Sequence, residues 1–91
     1  MATVVVTLKI MPDSPDSDLD GISASATGMV SGFGGSVGKK IIEPIAFGLK
    51  AVILMFTMPE EKGSTEELEK QVAGISGVSS VQVTDVRRAV G

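Results

Sequence analysis

The sequence predicts an α+β fold in which a four-stranded antiparallel sheet carries two helices on one face. Three observations point there. The N-terminal TVVVTLKIM alternates with a period of two, and the segment after EPIAFG is uninterruptedly apolar from Ala51 to Phe56. Two intervening stretches carry apolar residues at spacings of three and four, as helices do.

Taken in order, Val4, Val6, Leu8 and Ile10 share one side of the first strand, while Thr3, Thr7 and Lys9 share the other with Val5. PDSPDSDLDGI then stops the strand and starts a helix. Ser14 is a capping residue, Pro15 suits the first helical position, and Asp16, Asp18 and Asp20 favour the positive end of the helix dipole, so the helix is expected to begin near Pro15. Leu19, Ile22, Ala26, Met29, Val30 and Phe33 form its apolar face. Gly21, Gly28 and Gly32 each cost about 1 kcal/mol against Ala in a helix interior. The helix is therefore expected to depend on packing and to fray toward SGFGGSVGKK.

SVGKKIIEPIAFG has the pattern of a strand ending in a turn, with Pro44 restricting pairing and Gly48 permitting positive φ. LKAVILMFTMP continues as an almost wholly apolar strand, of the kind found at the centre of a sheet, and Pro59 closes it. In GSTEELEKQVAGISGV, Ser64 and Glu67 have capping-box spacing, Leu68, Val72 and Ile75 make the buried stripe, and Gly74 and Gly77 end the helix. VSSVQVTDVRRAV alternates again and supplies a last strand. The order strand-helix-strand-strand-helix-strand, two βαβ halves joined by a hairpin, is the ferredoxin-like split βαβ sandwich.

Composition narrows the function. At 91 residues the chain is expected to be one domain, residues 1–91. Apolar residues make up 43% and charged residues 21%, which fits a soluble globular protein. A net charge of −3 argues against nonspecific attraction to phosphate backbones or anionic membranes. Without Cys or His there are no disulfides, thiol chemistry or ordinary zinc sites, and the usual general base is missing. That usage fits a cytoplasmic protein. The longest apolar run falls far short of the roughly 20 residues needed to span a bilayer.

Several motifs fail on closer reading. GFGGSVGKK resembles a phosphate loop, but the leading glycine of a Walker pattern is Phe33 here, and Lys40 follows Lys39 where Ser or Thr is required. A flexible glycine connection is the expectation instead. The carboxylates of DSPDSDLD and PEEKGSTEELE lie in turns and first helical turns, where capping and solubility account for them. No EF-hand pattern occurs. An RNA-recognition domain has this topology, but its first and third strands carry stacking aromatics; here the first has none and the third region has only Phe47 and Phe56.

Phe47, in a turn, and the C-terminal TDVRRAVG remain. The ordinary reading of Phe47 is a core anchor for the hairpin, because most aromatics are buried, and that of Arg87 and Arg88 is a solvated chain end.

Together on this topology they say more. EPIAFGLKAVIL followed by GVSSVQVTDVRR, with the opening VVVTLKIMPDSPDSDLD, resembles the archaeal elongation factor 1-beta family, over residues 3 to 20 and 41 to 88. The resemblance implies a guanine-nucleotide exchange factor for the GTPase elongation factor 1-alpha, on the same ferredoxin-like fold. In eukaryotic members the FG turn contributes a phenylalanine to the GTPase contact, and Phe47 occupies that place. Those members also end in a lysine that reaches toward the magnesium and phosphate site of the partner. After TDV this chain has Arg87, Arg88, Ala89, Val90 and Gly91, so the role of that lysine is not carried over and an adjacent arginine is the candidate substitute. The segment Gly21 to Lys39 is richer in Gly and Ser than the usual helix of the family.

The expected contact surface joins Ile45, Phe47, Gly48 and Lys50 of the hairpin turn to Asp85, Arg87 and Arg88 of the last strand, lying toward a common edge. Phe47 would fill an apolar pocket, Gly48 allow close backbone approach, and Lys50 or the arginines meet acidic or phosphate groups, while Asp85 holds the C-terminal segment. Exchange makes no covalent bond, so no catalytic residue, cofactor or metal is expected, and neither direct nucleic-acid nor membrane binding. The alternative is a small-ligand-binding regulatory domain of ferredoxin-like fold with the glycine-rich connection as its binding loop. Oligomeric state is not fixed by the sequence.

Overall fold

The computed structural model of the protein describes residues 2–89. Its elements are β1 (Thr3–Pro12), α1 (Leu19–Phe33), β2 (Ser36–Pro44), β3 (Lys50–Pro59), a single 3-10 turn (Glu60–Lys62), α2 (Glu66–Ala73) and β4 (Val78–Ala89). The strands form one sheet in the order β2-β3-β1-β4, every neighbouring pair antiparallel. This is the expected ferredoxin-like α+β architecture, and the apolar β3 lies inside the sheet as its composition requires.

One face of the sheet makes the core. Val6, Leu8 and Ile10 of β1 and Val52, Leu54, Phe56 and Met58 of β3 are buried against Ile22, Ala26 and Val30 of α1 and Leu68 and Val72 of α2. α1 buries the middle of its expected stripe, with Leu19, Met29 and Phe33 half-buried at its margins, while α2 buries Leu68 and Val72 but ends at Ala73, leaving the expected Ile75 beyond it and half-buried. The alternate residues, Val5, Thr7, Lys9 and Met11 on β1 with Ile53 and Met55 on β3, are half-buried on the opposite face.

The helix ends correct three expectations. α1 begins at Leu19, not near Pro15: Asp18 is extended and its carboxylate accepts the Gly21 N–H at 3.1 Å. Ser14 to Ser17 form a turn instead, closed by the Ser17 N–H to the Ser14 carbonyl at 3.2 Å, with Pro15 second in the turn. The fixed φ of proline suits that position as well as a helix start. α1 also ends sharply. Gly34 is left-handed (φ 100°), its N–H donates to Ser31 O, and the Gly35 N–H donates to Val30 O at 2.9 Å, a Schellman closure in place of fraying. The glycine connection is thus short and ordered, and β2 starts at Ser36. At α2 the Ser64–Glu67 box is not formed. The Ser64 hydroxyl accepts the Glu66 N–H, Thr65 is the N-cap residue, and its hydroxyl donates to Glu69 at 3.0 Å.

Both edge strands carry extra residues over their partners, β2 one and β4 two, the second being Ser79, skipped where Met11 faces Ser80 and Pro12 faces Val78. On β2, Val37 faces Phe56 and Lys39 faces Met55, leaving Gly38 extra; on β4, Val83 faces Leu8 and Asp85 faces Thr7, leaving Thr84 extra. Each bulge decides which face the residues after it occupy.

Candidate interface at the hairpin tip and the end of β4

The β2–β3 turn is a tightly bonded tip. The Ile45 N–H donates to Leu49 O at 2.7 Å and the Leu49 N–H to Ala46 O at 3.1 Å. Between them Phe47 and Gly48 both have positive φ, 61° and 79°. Consecutive left-handed residues are the pattern of a type I′ turn, whose first position favours Asn, Asp or Gly. A left-handed L-residue costs roughly 1–2 kcal/mol, so Phe is an expensive choice there.

Its side chain recovers nothing from the rest of the protein. Phe47 is 94% exposed, so the core-anchor reading is overturned. Flanking Ile45 and Leu49 are half-buried and hold the tip to the sheet, while Lys50 is exposed. A Cβ built on Gly48 would lie 3.9 Å from Pro15 Cβ, so the tip stands beside the connection between β1 and α1.

The end of β4 is organised by ion pairs. Arg87 Nε donates to Asp85 Oδ2 at 2.8 Å, and Arg88 donates to Glu60 in the 3-10 turn. The hydrogen bond to Glu60, then its charge, raise the Arg88 pKa above the ordinary arginine value. Asp85 is thus paired with Arg87, two residues along the same strand. Val90 and Gly91, the last positions after TDV, lie outside the described residues.

The two halves of the expected surface do not share an edge. Arg87 pairs with Val5, which pairs with Thr57, whereas Lys50 pairs with Pro44 at the far end of β3. The seven residue steps from Lys50 to Thr57 correspond to about 24 Å of strand. The cause is topological. β3 and β4 are both antiparallel to β1, so β4 ends where β3 ends, opposite the turn that opens β3. Element order alone would have revealed this. Glu60, the partner of Arg88, was not anticipated, and its distance along the chain leaves no local signal for it.

Comparison with known proteins bears on the function of this surface. A family model described as the EF-1 guanine nucleotide exchange domain matches residues 5–89. The chain belongs to that exchange-domain family. It is 43% identical over 88 residues to elongation factor 1-beta of Methanothermobacter thermautotrophicus, spanning 97% of this chain and 98% of that protein. It is 42% identical to elongation factor 1-beta of Methanosarcina barkeri (97% and 99% covered) and 41% identical to that of Methanococcoides burtonii (99% and 100%). Among solved structures, the ACT domain from GTP pyrophosphokinase of Chlorobium tepidum superimposes with a TM-score of 0.59 at 19% identity, covering 87% of this chain and 95% of that one. At that identity the exchange-domain chain shares the fold of the ACT domain and no more.

Proposed function

We propose that this chain is a single exchange domain that promotes replacement of GDP by GTP on elongation factor 1-alpha in the cytoplasm. The observation that carries the reading is Phe47: in a chain of the exchange-domain family, a 94% exposed phenylalanine is held left-handed at a hydrogen-bonded tip. Backbone strain kept at a surface aromatic with no intramolecular contact to repay it suits an interface anchor.

The mechanism is linkage. A factor that binds the nucleotide-free GTPase more tightly than the loaded form weakens nucleotide binding by the same ratio, each factor of ten corresponding to about 1.4 kcal/mol of coupling. Phe47 anchors the complex in an apolar pocket, with Ile45 behind it and Gly48 allowing close approach. Lys50 at the tip and Arg87 at the far end engage acidic or phosphate groups, Arg87 being held by Asp85, while Arg88 stays tied to Glu60. No covalent step is required, and the factor leaves unchanged.

Release of a fluorescent GDP from elongation factor 1-alpha, under excess unlabelled nucleotide, tests this. Acceleration by catalytic amounts of the protein is expected. Unchanged release from an active GTPase, with this protein folded, overturns it.

A further inference from the structure

The tip and the end of β4 stand about 24 Å apart along the strands, so a single partner that grips both must cross one layer of the molecule. The two layers differ in charge. The strands carry six of the eight basic residues and two of the eleven acidic ones, a formal +4, while helices and connections carry the other two and nine, a formal −7; on the open face itself Lys9, Lys39 and Arg87 stand with Glu43 and Asp85, a formal +1.

Each edge strand carries a pair of adjacent basic residues, which strand alternation sends to opposite faces. The Gly38 bulge precedes the pair Lys39 and Lys40, and the Thr84 bulge precedes the pair Arg87 and Arg88, so each sets which member takes which face. One member of each pair turns to the helix side and meets a carboxylate: Lys40 lies 3.8 Å from Asp20, and Arg88 bonds Glu60. The other member, Lys39 or Arg87, stands on the open face, opposite Met55 on one edge and Val5 on the other. Lys9 occupies the middle of that face, between Ile53 and Gln82. Among the described residues neither Lys9 nor Lys39 has a carboxylate within ion-pair distance. Between the cations run the half-buried Val5, Ile53 and Met55, on the face opposite the one both helices cover among the described residues.

From strand spacing and rise the face measures roughly 400 Å², about half the ~800 Å² per partner of a standard stable interface. Alone it is too small for a durable pairing of two copies. Joined to the Phe47 tip and the Arg87 end, it becomes the middle of one continuous surface.

We propose that elongation factor 1-alpha lies along this open face, presenting an apolar patch edged by carboxylates to Met55 and Ile53 and to Lys9 and Lys39. The inference rests on the exchange reading above and adds to it the route the partner takes across the molecule. The helix layer, with its excess of negative charge, faces away.

The test is the fluorescent-GDP assay with the double variant Lys9→Glu/Lys39→Glu, with Lys39→Glu alone, and with Lys70→Glu on α2 as control. The double variant is expected to lower the second-order exchange rate about tenfold or more and to flatten its salt dependence, because like charges are brought together. Lys39→Glu, at an exposed edge, lowers the rate in the same direction and decides the matter if the double variant does not fold. Lys70→Glu exchanges as the parent does. Folded open-face variants as fast as the parent overturn the proposal and leave the exchange reading standing. A parent protein that fails to speed release overturns both.

Discussion

The Thr84 hydroxyl donates to the Thr7 carbonyl at 3.5 Å, at the point where β4 carries one residue more than β1. Because Val83 and Asp85 straddle that residue, they occupy opposite faces despite their spacing of two. Deleting Thr84 should regularise the ladder while keeping Asp85 opposite Thr7 and Arg87 opposite Val5. The deletion is expected to change unfolding stability by about 1 kcal/mol or less, the order of one hydrogen bond. Cross-strand nuclear Overhauser contacts between residues 87 and 5 would check the register; their loss would show that the bulge sets more than the count.

Phe47 separates stability from binding. Phe47→Asn places a residue tolerant of the left-handed region in the turn and should stabilise the isolated protein by about 0.5–1 kcal/mol, read as a higher thermal midpoint. The same change should weaken the complex by about 2 kcal/mol or more, as should Phe47→Ala, which keeps the backbone cost. A fall in midpoint with Phe47→Asn would contradict the turn geometry.

Two glycines near the end of α1 should respond in opposite directions. A Cβ on Gly35 would come within 2.9 Å of Val30 Cγ1 and 3.1 Å of Thr57 O, so Gly35→Ala is expected to destabilise by about 1–3 kcal/mol. A Cβ on Gly28 meets nothing within 4 Å, and Gly28→Ala should stabilise by up to about 1 kcal/mol through helix propensity. Chemical denaturation measures both.

The Arg88–Glu60 pair ties the end of β4 to the turn after β3. Glu60→Gln should leave the thermal midpoint nearly unchanged, because both side chains are substantially exposed. It should nevertheless speed amide hydrogen exchange at residues 86–88, where the strand end loses its clasp. Unaltered protection there would make the pair incidental.

Much of this molecule was legible in its sequence. The alternation of Val4 to Ile10, the run Ala51 to Phe56 and the stripes of both helices follow from burial periodicity, which depends on local order alone, and the structure keeps them. Helix starts were less legible because Ser14-Pro15 and Ser64 satisfy turn chemistry and capping chemistry equally well; the winner depended on neighbouring backbone. The bulge at Thr84 left no signal, since an extra residue exists only relative to a partner strand, whereas Gly38, a lone glycine inside a strand pattern, is the ordinary mark of one. For the candidate site, residues 45–50 and 85–88 were picked out by resemblance. Their separation followed from strand directions that a common-edge reading overlooked.

The extra residues at Gly38 and Thr84 have a further consequence for β2 and β4 as the outermost strands. An open sheet border is a template on which stray chains can polymerise, and proteins guard such borders with kinks, prolines and charged side chains. Here β2 combines its kink with Lys39, Lys40 and Pro44, and β4 combines its own with Arg87 and Arg88. The irregularities that set the face of each basic residue after them therefore also interrupt both borders, a guard of the kind that keeps strand edges from templating fibrils.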